Sequence, residues 1–92
     1  MEFKINENKD LIYIGESEET KEAYVTFPAN MKGVLVVRHV FVDPKYRGQG
    51  VASKLMNELV KYARENNKKI TCMCNYASSW FSKHEEYSDL LE

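Results

Sequence analysis

The sequence has little cysteine, proline and glycine, and it lacks the residue clusters typical of disulfide-bonded or metal-binding proteins. Cys72 and Cys74 are the only cysteines among 92 residues. They lie two positions apart on a predicted strand and share one face, so a disulfide framework is not expected. A single C-x-C without further Cys or a nearby pair of His is also a poor metal site, and no metal is predicted.

Long apolar runs are also missing. No stretch is long enough to cross a membrane, and the N-terminal segment is polar from its second residue, so neither a spanning helix nor an apolar leader is predicted. The formal net charge of −1 gives no reason to expect a nucleic-acid partner. We therefore expect a cytoplasmic protein, a monomer or weak dimer, that associates with neither membrane nor nucleic acid.

What remains is an ordinary soluble composition with an uneven distribution of charge. The chain is 43% hydrophobic and 29% charged, which at this length predicts one domain over residues 1–92 without room for a second core. Residues 32–69 carry nine Lys or Arg against three acids, whereas residues 1–31 carry three against seven. The positive middle of the chain suits a polyphosphate ligand on one local surface.

Hydrophobic periodicity divides the chain into short strands and two helices. Residues 34–42 are apolar on both faces and predict a central strand, which Arg38 and His39 interrupt. Residues 51–65 carry apolar side chains at helical spacing. The strand after this helix should run parallel to the central strand through a right-handed crossover. The other predicted elements are strands at 3–5, 11–15, 23–27 and 69–74, a helix at 76–84, and a short helical or irregular tail at 87–91.

The stretch from Val42 to Leu55 joins the central strand to the long helix through a Pro/Gly turn. The first turn of a helix leaves backbone N–H groups unpaired at the positive end of its macrodipole, which together favour a phosphate. Gly48 and Gly50 would let a phosphate approach these amides and let the chain take positive φ, and Arg47 adds a fixed charge. The stretch predicts an anion site; an ordinary β-to-α turn with glycines for tightness is the alternative.

Two common phosphate loops do not fit this stretch. Val51 and Ala52 follow Gly50 where a P-loop needs Lys and Ser or Thr, and Ser53 stands where a dinucleotide fingerprint needs its third glycine. The pattern Arg47-x-x-Gly50-x-Ala52 instead resembles the R/Q-x-x-G-x-G/A acyl-CoA signature of the GCN5-related N-acetyltransferases. Further residues match the fuller pattern of that family, namely Val42, Pro44, Tyr46, Gly48 and Leu55.

The resemblance extends over about residues 21–84 and implies an α+β fold with α/β character. This minimal acetyltransferase fold has a mixed, mainly antiparallel five-stranded sheet, a central motif helix and a C-terminal helix. Two features of the family are missing, because the loop Gly15–Thr20 replaces the usual pair of helices and the usual last two strands are absent. Both regions help to build the acceptor pocket in typical members. The chain is most similar to a compact subfamily that shares His39, Cys74 and the tail His84–Leu90.

The resemblance further implies acetyl-CoA as the cofactor. In the family fold the central strand splays from its parallel neighbour, and pantetheine lies in the gap, bonded like an extra strand. Carried over to this sequence, the end of the central strand contacts pantetheine and the acyl group, the loop and first helical turn bind pyrophosphate, Asn75 closes the other side, and Phe81 lines the channel. The residues predicted to bind the cofactor are Val40, Phe41, Val42, Arg47, Gly48, Gln49, Gly50, Val51, Ala52, Asn75 and Phe81.

Catalysis would need a polarised carbonyl, a neutral amine and a proton for the leaving thiolate. His39 is the candidate general base, because imidazole titrates near neutral pH and this residue lies close to the expected thioester. A structural His, with Glu22 or water as base, is the alternative. Cys74 is predicted to accept the acetyl group or protonate the thiolate, or to be a small core residue. The tyrosine acid of typical members falls at about Phe81 or Ser82 and is missing there.

Two functions of different classes follow from these observations. The first is an acetyl-CoA-dependent N-acetyltransferase whose acceptor is an amine on a small molecule or an exposed protein side chain. The second is a non-catalytic acyl-CoA-binding module that senses the acyl group or delivers it to a partner protein through Cys74. The loop motif and His39 favour the enzyme, whereas the shortened acceptor region and the missing tyrosine favour the module. An unrelated nucleotide-binding α+β domain is a third possibility.

Overall fold

The computed structural model describes residues 1–92, and the predicted α+β class with a mainly antiparallel sheet is confirmed. The strands are β1 (Lys4–Ile5), β2 (Leu11–Gly15), β3 (Lys21–Thr26), β4 (Leu35–Val37), β5 (His39–Val42) and β6 (Ile70–Cys72). The α-helices are α1 (Val51–Glu65) and α2 (Asn75–Ser82), and short 3-10 helices cover Pro44–Tyr46 and Glu85–Leu90. Neither α-helix has the length and apolar character that crossing a membrane requires.

The strands form two sheets that meet at the central strand. β1, β2, β3 and β5 pair antiparallel in that order, and β4 pairs with β6 in parallel. The predicted parallel neighbour of the central strand is therefore confirmed. The central strand predicted over 34–42 is divided in two at Arg38, one of the two residues that interrupt its apolar run, and Arg38 separates β4 from β5. The five predicted strands are all present, but the central one changes its partner at this residue.

The apolar stripe of α1 packs on one side of the antiparallel sheet. Leu55, Met56 and Leu59 are fully buried in the main hydrophobic cluster, and burial of such side chains contributes about 1.5–3 kcal/mol each. The helix ends where the sequence predicts, because Asn66 caps it and Asn67 takes a φ of 54°, as residues after a helix often do.

The second helix packs on the same side. Trp80 and Phe81 of α2 belong to the hydrophobic cluster that α1 covers. The two helices are also joined directly, since Trp80 Nε1 donates a hydrogen bond to Ser53 Oγ in the first turn of α1 at 2.8 Å.

The other side of the antiparallel sheet, called the open side below, carries neither helix. Residues on both sides of Tyr24 belong to the core, so the Tyr24 ring points away from α1 because side chains alternate along a strand. It contacts the ring of Phe41, with centroids 5.5 Å apart, and Phe41 is 41% exposed. The loop at residues 16–20 folds toward this side, where Asn6 Nδ2 donates to Glu18 Oε1 at 3.2 Å.

Candidate functional site

The central strand breaks because two of its residues oppose one residue of β3. The Arg38 amide donates to Thr26 O at 3.0 Å, and the His39 amide donates to Thr26 Oγ1 at 3.1 Å, which is the arrangement of a β-bulge. The last parallel hydrogen bond joins Met73 N to Val37 O at 2.9 Å. Beyond this point β5 follows β3, while the chain after β6 turns into α2. The predicted splay between the two parallel neighbours is therefore present.

One backbone edge of β5 faces this split. β5 is the outermost strand of its sheet, Phe41 is paired with Tyr24, and the Asp43 amide donates to the carbonyl of β3 at Glu22 at 2.8 Å. Backbone groups alternate in direction along a strand, so those of the two valines on either side of Phe41 point away from β3. An extended ligand could bond to this edge as an added strand.

The loop after β5, residues 43–50, is called the glycine loop below. Asp43 Oδ1 accepts from Lys45 N at 3.0 Å and caps the short 3-10 helix that begins with Pro44. Gly48 and Gly50 follow with φ of 82° and 72°, values that L side chains rarely adopt. Such a pair of left-handed residues turns the chain directly from the sheet into α1.

Six consecutive amides, those of residues 48–53, donate to no protein acceptor. The first helical bond of α1 comes only at Lys54 N, which donates to Gly50 O at 3.0 Å. A Cβ added at Gly48 or Gly50 would meet no protein atom within 4 Å, so these glycines do not serve close packing. They provide positive φ and leave the space above the amides open, which suits a phosphate at the positive end of α1.

A carboxylate of β3 anchors the glycine loop from below. Glu22 accepts from Tyr46 Oη at 2.9 Å and forms an ion pair with Lys45. The Lys45 ammonium and then the Tyr46 hydroxyl hold the pKa of Glu22 below its usual value, and the same carboxylate raises the pKa of Tyr46. Because a carboxylate with a lowered pKa is a weak base, Glu22 is a poor alternative to His39 as general base.

A cavity of about 230 Å³ joins the end of β5 to the glycine loop and α2. The guanidinium of Arg47 has no protein hydrogen-bond partner beside it, whereas the Gln49 side chain folds back onto Lys45 O at 3.2 Å. The residues that line the cavity are Val42, Tyr46, Arg47, Gly48, Gly50, Val51, Ala52, Ser53 and Tyr76. Most of the predicted pyrophosphate residues are thus brought together in one place.

Besides Tyr46, which was noted only as a match to the family pattern, two residues of this cavity were missed by the sequence prediction. Tyr76 lines it and is 40% exposed, although sequence counting placed the family tyrosine at Phe81 or Ser82. Partial burial raises the pKa of Tyr76, with a smaller contribution from the Cys74 sulfur, so its phenol stays protonated at neutral pH. Ser53 also lines the cavity. The signal for both was nearness in sequence to Asn75 and Ala52, but their direction depends on the packing of α1 and α2.

The other predicted residues lie at different distances from this cavity. Cys74 is the residue before α2, partly buried against the core at the point where the strands separate. Asn75 is the exposed first residue of α2 and does not line the cavity. Phe81 is not brought to the loop, because it packs edge-on against Trp80 at 5.2 Å and is only 4% exposed.

Phe81 instead borders a cavity of about 470 Å³ on the outer side of β6, together with Cys72. Burial raises the pKa of the Cys72 thiol to about 11, with the neighbouring Cys74 sulfur as a smaller cause. Because the thiolate is the reactive form, Cys72 is a poor nucleophile at neutral pH. No group of three or more His, Cys, Asp or Glu side chains is arranged to hold a metal ion.

His39 lies on the open side of the sheet. Its ring makes no hydrogen bond with the protein, and the residue is exposed at the first position of β5. It directly precedes Val40, whose backbone faces the split, so the imidazole stands beside the place where an extended ligand would end. This position is suited to proton transfer, which needs a titratable group near the reacting atoms.

A family model described as GCN5-related N-acetyl-transferase matches residues 11–90. The chain is similar to a GCN5-like protein from Staphylococcus aureus solved by NMR, with 34% identity, a TM-score of 0.80, and coverage of 99% of this chain and 87% of that one. An uncharacterized N-acetyltransferase from Archaeoglobus fulgidus is 29% identical over 72 residues, which are 72% of this chain and 49% of the relative. The chain therefore spans about half the length of that curated relative.

The fold is also shared with a larger protein. Rv2747 from Mycobacterium tuberculosis, solved in complex with CoA, superposes with a TM-score of 0.63 and 15% sequence identity. The matched region covers 84% of this chain and 48% of Rv2747. At this level of identity the likeness concerns the arrangement of strands and helices alone.

Proposed function

The chain belongs to the GCN5-related N-acetyltransferase family, and from that premise we propose that it binds acetyl-CoA and transfers the acetyl group to an amine. The observation that carries this proposal is the run of unpartnered amides at residues 48–53 beside the free edge of β5. A helix N-terminus with unpaired N–H groups favours phosphate, and an unpaired strand edge favours an amide-containing chain. The CoA complex of Rv2747, which shares the fold, supports the same assignment.

The glycine loop would hold the pyrophosphate. Its amides have no protein acceptor, and its two glycines leave room for the ligand. Arg47 lines the same cavity with an unpaired guanidinium. Arginine suits phosphate because its planar fork of donors matches two oxygens at once. Gln49, Val51 and Ala52 would contribute through their backbone N–H groups.

The free edge of β5 would hold pantetheine. Val40 and Val42 present backbone donors and acceptors to the split, and their alternation with Phe41 is that of a strand awaiting a neighbour. Acetyl-CoA supplies an activated thioester and a thiol leaving group. Contacts from Asn75 and Phe81 stay predictions, and the burial of Phe81 makes it a supporting residue for α2 rather than a wall of the split.

Three side chains are assigned to proton transfer, cofactor contact or acyl contact. His39 would take the proton of the attacking amine, because its ring is free of protein hydrogen bonds. Tyr76 would contact the cofactor from the cavity beside the glycine loop, and the leaving thiolate would take its proton from solvent. Cys74, at the end of the split, would lie beside the acyl group. These roles require that the thioester end near the bulge at Arg38.

In a second candidate function the chain binds acyl-CoA but does not catalyse repeated transfer. It would then be an acyl-CoA-binding module that passes the acyl group through Cys74 to a partner. The specific observation in its favour is the position of Cys74, one residue after the last parallel hydrogen bond between Met73 and Val37. The predicted cytoplasmic location and the monomer or weak dimer apply to either function and stay predictions.

The binding part of the proposal is tested by titrating the ¹⁵N-labelled protein with CoA. We expect the amide resonances of residues 48–53 to shift most, followed by those of Val40 and Val42. A matched titration with ATP controls for non-specific phosphate binding. If the resonances of 48–53 stay in place while the protein remains folded, the assignment of the glycine loop is wrong.

Acetyl-CoA with a panel of amines separates the two functions. Steady release of free CoA, with loss of at least tenfold in rate for His39→Gln, supports the enzyme. A single acetyl adduct by mass spectrometry, absent in Cys74→Ser but present in Cys72→Ser, supports the module. The cysteine pair provides the matched control, because both residues are half-buried and only Cys74 lies at the end of the split.

A further inference from the structure

The open side carries a second cavity, of about 460 Å³, and His39 is the one residue of its lining that the roles above use. Such a volume fits a small molecule. Its lining combines two acids with two bases, Asp10, Glu18, Lys21 and Arg38, and none of the four forms an ion pair; the ion pairs in the chain are Lys45–Glu22 and Arg64–Asp89. Positively and negatively charged side chains therefore line the same cavity without forming ion pairs with one another.

A buried amide fixes the two carboxylates of this cavity. Asn6 is only 7% exposed, and its Nδ2 donates to Asp10 Oδ1 at 2.6 Å and to Glu18 Oε1 at 3.2 Å. The Asn6 side chain is held in turn, because its Oδ1 accepts from the amides of Asp10 and Leu11. Each carboxylate keeps one oxygen without a protein donor, so the pair could accept hydrogen bonds from a cationic group.

The positive side of the cavity lies nearer the split. Arg38 is exposed at the bulge, and its guanidinium has no protein acceptor. Lys21 is turned away from this end, since its Nζ donates to Glu18 O at 2.9 Å and lies 5.0 Å from the centre of the Tyr24 ring. Arg38 is thus the free cation that could bind a carboxylate.

His39 lies in the same cavity, between the arginine and the split. The acids stand at β2 and the adjoining loop, two strands from β5 in the order β2-β3-β5. Strands are spaced by about 4.8 Å, which separates the acids from the His39 position by about 10 Å of sheet. A ligand that reaches both must be elongated and must carry a positive group at its far end.

We propose that this cavity binds the acceptor, and that the acceptor is a free dibasic amino acid. The α-carboxylate would bind Arg38, the α-amine would lie beside His39 at the split, and the side-chain cation would reach Asp10 and Glu18. A flexible four-carbon stem carrying an ammonium, as in lysine, has the required form. This inference rests on the proposed transferase function, because only that function supplies an acyl donor at the split.

The transfer balances without a further reagent. The α-ammonium loses one proton to solvent, and its nitrogen forms a C–N bond with the acetyl carbonyl carbon. The C–S bond breaks with its electron pair on sulfur, the second amine proton passes to His39, and the CoA thiolate is protonated from solvent. After His39 returns its proton to solvent, the products are the N-acetyl amino acid, CoA thiol and one released proton.

The test compares three probes that differ by one group each: lysine, norleucine without the distal ammonium, and cadaverine without the carboxylate. Binding is followed by the amide resonances of residues 10, 18, 38 and 39, with CoA already bound. We expect lysine to bind at least tenfold more tightly than either of the others. Equal affinity for lysine and norleucine would overturn the role of the acids, and equal affinity for lysine and cadaverine the role of Arg38.

Charge-neutral variants sharpen the same test. Glu18→Gln should weaken lysine binding by roughly five- to tenfold and leave norleucine unaffected, while the exposed neighbour Glu19→Gln changes neither. Arg38→Gln should weaken lysine and norleucine alike, with Lys32→Gln as its control. Failure of CoA to shift residues 48–53 would sink the transferase proposal, whereas normal CoA shifts without any lysine shift would sink only this inference.

Discussion

The two sides of the antiparallel sheet differ in what covers them. One side carries α1 and α2 and holds the hydrophobic cluster, in which residues such as Phe27 are fully buried. The open side carries neither helix, exposes Phe41, and has a cavity that charged side chains line. A chain of this length buries only about two-thirds of its surface on folding. Most of the buried apolar side chains lie in the cluster under the helices, so we expect that side to contribute more of the stability.

The largest effect is expected on the free energy of unfolding, when one phenylalanine on each side of the sheet is replaced by alanine and the two losses are compared. Phe27→Ala removes a fully buried ring whose centroid lies 5.6 Å from the centroid of the Tyr62 ring. The loss of a buried Phe side chain costs about 3–5 kcal/mol. Phe41→Ala removes a ring that is 41% exposed and should cost about 1 kcal/mol or less. Urea unfolding of both variants measures the difference. Equal losses would show that the two sides contribute equally.

Much of the side that α1 and α2 cover could be predicted, because the spacing of residues along the chain agrees with the packing in the structure. Leu55 and Leu59 recur at helical spacing, and the pattern of Arg47 and Gly50 is read directly from the sequence. Arg38 and His39 interrupt the apolar run in the sequence, but the change of partner strand at this point was not predictable, because it depends on hydrogen bonds to Thr26 of another strand. An apolar run on both faces predicts a central strand but carries no information about where its neighbours diverge.

Most features of the open side could not be predicted from the sequence. Its cavity combines a turn at residues 6–10 with the loop at 16–20 and the start of β5, and no periodic pattern connects such segments. The position of Tyr76 in the other cavity was missed for a related reason. Its distance along the chain was known, but the rotation of α2 that turns it toward the glycine loop follows from the packing of Trp80 on α1.

The second prediction concerns the glycine loop, which follows β5 at the edge of the sheet. Gly50→Asp places a carboxylate over the unpaired amides, so we expect CoA affinity to fall more than about 100-fold through repulsion of the pyrophosphate. Gly33→Asp is the matched control, because Gly33 also has positive φ, at 80°, but lies in a distant turn. Isothermal titration with CoA measures both variants. Native-like CoA affinity in a folded Gly50→Asp variant would contradict the assignment of the glycine loop.

The third prediction separates binding from stability with two arginines. Arg47 lines the cavity beside the glycine loop and has no protein hydrogen-bond partner, whereas Arg64 pairs with Asp89 at 2.9 Å. Arg47→Ala should weaken CoA binding by roughly five- to tenfold at low salt and less at high salt, because salt screens exposed charges. Arg64→Ala should leave CoA affinity unchanged and cost about 0–1 kcal/mol of unfolding free energy. A salt-independent loss for Arg47→Ala would argue against phosphate contact.

The smallest effect is expected at Glu22, which ties the glycine loop to β3. Its folded pKa lies below the usual 4.5 because of Lys45 and Tyr46, so its contribution to stability is complete above the usual value and is lost as pH falls through the folded pKa. Glu22→Gln should therefore melt below the native protein at pH 7 but match it in stronger acid. Glu16→Gln, an exposed acid without a partner, should melt with the native protein at both pH values. A melting difference for Glu22→Gln that persists unchanged in acid would mean that the hydrogen-bond geometry of the side chain, rather than its charge, fastens the loop.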